Sequence, residues 1–328
     1  MLETASPLIS VVIPVYNGSA TIRETVESVL SQTHRNLELI VIDDGSTDDT
    51  SDVLASIADP RVHVFSLENA GIATSRNRGL ARCRGQFVSF IDADDLWTPD
   101  KLQAQLEALQ QAPGAGAAYS WTDYVDENGA FLHQGSHVSL SGDIYAAMLV
   151  QNFLENGSNA LIRRAVFDSV GDFDESVPKG AEDWEFFIRV ARHYTFVPVR
   201  KAQVLYRVAT NSVSANIHRQ ECALVEVVNR AFASAPVKLQ PLRKRSLANL
   251  YGYLMFRALD SSTDRGRSLT ALRCMRKSLA SDPRLLLSRP TAMTVAIAKM
   301  LMAALLPKKG VRTILSAARR ILRRPQLA

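Results

Sequence analysis

The chain has 328 residues, 47% hydrophobic and 22% charged, a composition that excludes intrinsic disorder and can fill one large or two ordinary domains. Its formal net charge of +5 is uneven: residues 283–328 hold ten Lys or Arg and no Asp or Glu, whereas residues 1–282 hold 28 basic against 33 acidic groups. The basic character therefore belongs to the tail and does not mark the main domain as nucleic-acid binding. Three cysteines, Cys83, Cys222 and Cys274, lie far apart, without metal-type spacing. They read as reduced thiols of a cytosolic protein. The N-terminus lacks a basic region followed by a long apolar core, so its short apolar run reads as a first strand rather than a leader.

In chain order, residues 9–15 are an apolar, β-branched strand, with Pro14 near its end. Thr21-Ile-Arg-Glu24 has the form of a capping box opening a helix with Ile22, Val26, Val29 and Leu30 on one face. Residues 37–42 form a second strand, which runs into Asp43-Asp44-Gly-Ser-Thr-Asp48. A helix over 51–57, a third strand over 62–65, and a turn at Asn69-Ala-Gly71 leading into a helix with Arg76, Asn77 and Arg78 follow. Thr98-Pro99 is predicted as N-cap and first residue of a helix with Leu102, Leu106 and Leu109 inward, preceded by Asp95 as an alternative cap. After a loop at 113–116, a strand is expected over 117–125, a helix over 143–153 and a strand-to-helix passage over 161–170. A helix over 181–191 opens with Glu182-Asp183-Trp184. One or two short strands are expected over 196–206, and only helices from about 217. His133 and His137 fall in a stretch that reads as loop. Strand–helix alternation predicts an α/β fold: a mainly parallel, Rossmann-like sheet flanked by helices, followed by a helical C-terminal region. The domains are expected at 1–214, with halves at 1–115 and 116–214, and at 215–328.

The most informative stretch is 86–97. Phe87, Val88, Phe90 and Ile91 make a buried strand, which delivers Asp92, Asp94 and Asp95 within four positions. Ligands of open α/β sheets bind beyond such strand ends. Clustered carboxylates repel one another, and folds that gather them often neutralise them with a divalent cation; a solvated acidic turn is the plainer alternative. Strand ends at Pro14-Val-Tyr-Asn17, at Asp43-Asp44 and at Asp92-Ala93-Asp94 offer polar groups to one crevice. No Gly-x-Gly-x-x-Gly follows strand one, and no phosphate loop of the Gly-x4-Gly-Lys type occurs, which disfavours dinucleotide and phosphate-loop enzymes.

The ordered set Pro14-Val-Tyr-Asn17, Asp43-Asp-Gly-Ser-Thr-Asp48, Asn69-Ala-Gly71 with Ser75-Arg-Asn77, Asp92-Ala-Asp-Asp95 and Glu182-Asp-Trp184 resembles the family 2 glycosyltransferases, over about residues 8–214. The resemblance implies the glycosyltransferase A fold, a nucleotide-sugar donor, usually a UDP-sugar, Mg²⁺ or Mn²⁺, and inversion at the anomeric carbon. It further implies that Asp43 or Asp44 accepts a hydrogen bond from the donor base, while Pro14, Tyr16 and Asn17 line the base and ribose pocket. Arg76 would lie near the diphosphate. In the Asp-x-Asp motif of Asp92, Ala93 and Asp94, Asp94 would bind the metal and Asp92 would lie near the ribose or a metal-bound water. Asp183 is the implied general base, supported by Glu182. Trp184 is left between stacking on a sugar and packing in the core, and Arg207 belongs to a segment resembling one that closes over the diphosphate. The plain alternatives are core packing for Tyr16, an exposed helix charge for Arg76, and a dipole-complementing first turn for Glu182 and Asp183.

The tail adds an amphipathic pattern, with Val311, Ile314, Leu315, Ala318, Ile321 and Leu322 on one helical face and Arg312, Arg319, Arg320 and Arg323 mostly off it. This suits an anionic membrane surface contacted through 284–328, or a helix packed on its own domain. The reading reached is a glycosyltransferase acting on a saccharide or lipid-linked saccharide acceptor in surface polysaccharide synthesis, cytoplasmic and peripheral on the inner face of the cell membrane. A sugar nucleotidyltransferase and a non-catalytic nucleotide-sugar or lipid-surface binding protein are the alternatives. The first lacks the expected Gly-rich basic loop, and the intact set of acids disfavours the second.

Overall fold

Strands β1 (Ile9–Val15) and β2 (Leu37–Asp43) are buried at every position, as β-branched runs covered on both faces must be. β1 pairs in parallel with β2 on one side and with β4 (Phe87–Phe90) on the other, and β2 pairs in parallel with β3 (Val62–Ser66). Pro14 lies past Val12↔Phe90, the last β1–β4 pair, so its missing N–H removes no bond from that ladder. These strands bring Val15, Asp43, Ser66 and Phe90 out at one edge of the sheet. Helices α1 (Ile22–Leu30), α2 (Thr50–Ala55) and α3 (Ile72–Leu80) connect them. The computed structural model describes residues 6–208, 216–260, 265–284 and 290–305.

The sheet has nine strands in the order β3-β2-β1-β4-β8-β6-β9-β5, with β7 added at β6. Its second half is mixed rather than parallel. β8 (Leu161–Arg163) runs antiparallel to both β4 and β6 (Ala115–Val125) and so joins the halves. β9 (Thr195–Arg207) is one 13-residue strand parallel to β6, with three register irregularities that let it bend along its partner.

Several local expectations change for identifiable reasons. Thr21 makes no cap bond with its side chain; Thr21 Oγ1 and Thr25 Oγ1 both donate to the carbonyl of Ala93, at 2.9 and 3.0 Å. The helix expected from Thr98 starts later, as α4 (Lys101–Gln111), with Asp100 at its N-cap. Leu96 and Trp97 form β5, paired antiparallel with Leu205 and Val204 of β9, which keeps that stretch extended. The loop expected at 113–116 ends early because Ala115 already belongs to β6. His133 sits in a strand, β7 (Phe131–Gln134), that forms a hairpin with β6.

α5 (Tyr145–Val150), α6 (Arg164–Val170) and α7 (Glu182–His193) complete the first of two compact units, Met1–Ala209. The second unit, Thr210–Ala328, contains α8 (Ile217–Ser234), α9 (Leu242–Asp260), α10 (Arg265–Ser281) and α11 (Pro290–Leu305). Asn216 caps α8 by accepting from Arg219 N, and Glu221 of α8 receives Arg273 and Lys277 of α10 at 2.5 and 2.6 Å. No helix among the described residues is long and apolar enough to cross a membrane. The amphipathic face at 311–322 lies outside the described residues.

Candidate active site

The first wall of the site is a pair of stitched strand-end loops. Asn17, at φ +53°, accepts from Thr47 N at 2.8 Å, and its own N–H donates to Ser46 Oγ at 2.9 Å. Asp43 accepts from Ser46 N at 3.0 Å. Asp44 accepts from the backbone N–H groups of Ala70 and Gly71, at 2.9 and 2.8 Å, at the start of α3. Gly71 has φ +95°, a conformation open to glycine, and this turns both amides toward Asp44. Both acids are buried, and Tyr16 beside them is 53% exposed, which excludes core packing for that ring.

Arg76, on α3, is the hub. It is 1% exposed, donating from Nη2 to Asp92 at 2.7 Å and from Nη1 to Glu182 at 3.1 Å, with Phe173 5.3 Å from its guanidinium. An exposed helix charge is thereby excluded. Each Nη group donates to a carboxylate, so Arg76 is a strut between the Asp-x-Asp loop and the start of α7. Gly157 packs against it: a Cβ there would meet Nη2 at 2.5 Å.

The three clustered acids have three different fates. Asp92 pairs with Arg76. Asp95 is fully buried, accepting from Ser158 Oγ at 2.5 Å and from Arg207 N at 3.0 Å; burial and its two acidic neighbours push its carboxyl well above the usual range. It caps no helix. Asp94 receives no hydrogen bond from another side chain among the described residues, and burial with the nearby Asp92 pushes it up to about 6. Among the described residues no three His, Cys, Asp or Glu are grouped to hold an ion alone. A single carboxylate such as Asp94 would suit a Mg²⁺ or Mn²⁺ that takes its other ligands from phosphates and water.

Glu182 faces Arg76 with one oxygen and takes the Gly180 and Ala181 N–H groups on the other, at 2.8 and 3.1 Å. Asp183 accepts from Trp184 N at 2.7 Å and from Asn152 Nδ2 at 3.2 Å. Burial and Glu182 push it up to about 7, against the opposing pull of Arg76. A first turn of solvated acids does not describe this arrangement. Trp184 is core: it is 3% exposed and gives its indole N–H to Met148 O at 2.8 Å, so no ring face is open to a sugar. Arg207 is also turned inward. Its guanidinium donates to the carbonyls of Asp94 and Glu127 and to Glu24 Oε2, which makes it a brace of the Asp-x-Asp loop; the segment at 211–214 lies outside the described residues.

Sequence reasoning missed the segment from Asn152 to Asn159. Ser158 Oγ receives Asp92 N and donates to Asp95, Asn156 donates to Thr122, and Asn159 ties Ser120 to Leu154. Its one visible signal was density of Asn, Gly and Ser between two apolar runs, which reads equally as any loop.

The profile of glycosyltransferase-like family 2 matches residues 10–258. The chain belongs to that family. This glycosyltransferase is 33% identical over 216 residues to TuaG of Bacillus subtilis, a glycosyltransferase named for teichuronic acid biosynthesis, spanning 64% of this chain and 82% of that one. It is 32% identical over 219 residues to the Escherichia coli UDP-Glc:alpha-D-GlcNAc-diphosphoundecaprenol beta-1,3-glucosyltransferase WfaP, spanning 64% and 80%. It matches an uncharacterized glycosyltransferase of Rickettsia bellii at 30% over 231 residues but spans only 33% of that protein's length. The mannosyltransferase PcManGT of Pyrobaculum calidifontis, solved with GDP-Man and Mn²⁺, superposes with a TM-score of 0.59 at 22% identity, over 92% of this chain and 87% of that one. The shared architecture is the glycosyltransferase A fold.

Proposed function

We propose that this glycosyltransferase moves a sugar from a UDP-sugar, with inversion and with Mg²⁺ or Mn²⁺, to a hydroxyl of a lipid-linked saccharide in surface polysaccharide synthesis. The observation that carries it is the Arg76 bridge, which ties Asp92 to Glu182 and so sets the Asp-x-Asp loop beside Asp183. Asp44, Tyr16 and Asn17, with Pro14 and Asp43 behind them, hold the nucleoside, and Asp94 would hold the cation, which when bound would supply positive charge for the departing diphosphate. Asp183 takes the proton from the attacking hydroxyl. An acid pushed up to about 7 is a stronger base at neutral pH than an ordinary aspartate and is still substantially ionised there. The UDP and lipid-linked parts are supported by the activity named for WfaP, and the metal by the Mn²⁺ bound in PcManGT.

The Asp183→Asn variant tests this reading. Titration with UDP-sugars in the presence of Mn²⁺ is expected to show donor binding retained, with sugar transfer lost. Transfer at the normal rate would assign the base elsewhere. We further propose that the basic segment 284–328 holds the protein on anionic lipid at the inner face of the cell membrane, on the strength of ten basic and no acidic residues in 283–328. A chain truncated after Pro283 is expected to stop sedimenting with anionic vesicles; unchanged sedimentation removes the lipid role.

A further inference from the structure

Helix α5 is fastened to α7 through the bond from Trp184 Nε1 to Met148 O. Two residues past the end of α5 stands Asn152, whose Nδ2 donates to Asp183 Oδ2 at 3.2 Å while Trp184 N occupies Oδ1. Asn152 Oδ1 is buried and has no hydrogen-bond partner among the described residues. A native fold rarely leaves a buried amide carbonyl empty, since this costs about 1–3 kcal/mol, so a residue that tolerates it is one whose other end matters. The charged groups acting on Asp183 are Glu182 on its own helix, Arg76 from α3 and Asp92 from the loop after β4. Two of these three are acids, and Arg76 has its hydrogen bonds directed to Asp92 and Glu182. Among side chains, the Asn152 amide is therefore the donor aimed at Asp183.

We infer that Asn152 is the positioning residue for Asp183: its N–H fixes the carboxylate's rotamer toward the acceptor side and favours its charged form. The inference rests on the reading of Asp183 as base. Removing the donor leaves burial and Glu182 less opposed, so the ionisation of Asp183 must move to higher pH.

The test uses the full chain labelled with ¹³Cγ-aspartate, following by NMR the resonance that disappears in Asp183→Asn. Its titration midpoint is expected to rise by about half a unit to one unit in Asn152→Ala, the scale of one ordinary hydrogen bond, as suits a long 3.2 Å contact. Asn152→Leu keeps the volume and removes the amide, and is expected to give the same rise. In both variants kcat for transfer falls while KM for the UDP-sugar stays. A midpoint unmoved in both, with Asp183→Asn inactive, overturns the role of Asn152 alone. Normal transfer by Asp183→Asn overturns the base, and the catalytic meaning of Asn152 with it.

Discussion

The acids at the end of β2 are buried and those around Arg76 are buried or half-buried carboxylates at strand or helix ends, and the two groups are treated oppositely. Asp44 is met by two backbone N–H groups and Asp43 by another, so each sits in a donor nest supplied by neighbouring loops. Asp94 and Asp183 are half-buried beside other acids, Asp94 with no side-chain donor among the described residues and Asp183 with two N–H donors, and both are pushed upward, to about 6 and about 7. The difference teaches how surroundings set ionisation. A carboxylate held by backbone donors is favoured in its charged form, whereas one set beside other acids is pushed toward its protonated form.

The largest effect is expected from the residue that holds the second group together. Arg76→Leu leaves the buried Glu182 and the half-buried Asp92 without their cation, and stability is expected to fall by about 3–5 kcal/mol, read as the urea midpoint. A midpoint unchanged from the parent chain would mean that the acids relax into solvent and that the bridge is dispensable.

Asp94→Ala comes next. It removes the carboxylate assigned to the cation, and Mn²⁺-dependent release of UDP is expected to drop by about a hundred- to a thousand-fold, with the fold retained. Equal activity with and without Mn²⁺ in the parent chain would erase the distinction drawn for this acid.

The smallest effect sharpens the comparison directly. Protonation of Asp183 removes the base, so kcat is expected to fall as pH drops through about 7, on the acid side of the profile. Asp44→Asn, which alters only the satisfied group, is expected to raise KM for the donor and leave that acid limb where it was. A limb that moves in Asp44→Asn would show the two regions to be electrostatically one.

Much of this was legible in the linear chain. Residues 9–15, 37–43 and 87–90 are apolar runs of strand length, and burial on both faces follows from that composition alone. The order of acids after those strands, with the Asn69-Ala-Gly71 turn, carried the family resemblance and the candidate residues. The helical character beyond residue 217 was equally plain from its periodicity. What the chain could not declare was the partner of each polar group. Asp92, Asp94 and Asp95 are equivalent as letters, but one is paired with Arg76, one lacks a side-chain donor and one is sealed against Ser158 and Arg207, because Arg76, Ser158 and Arg207 arrive from three distant segments. Lys101 shows the same dependence on packing: it is fully buried, 3.6 Å from the Trp97 ring and donating to Ser89, with burial holding its ammonium well below the usual lysine range. Local pattern determines strands, helices and strand-end chemistry because these depend on neighbours in sequence. Ionisation and role depend on what closes over each group, and only the packing of β4, α3, α7 and the Asn152–Asn159 segment decides that.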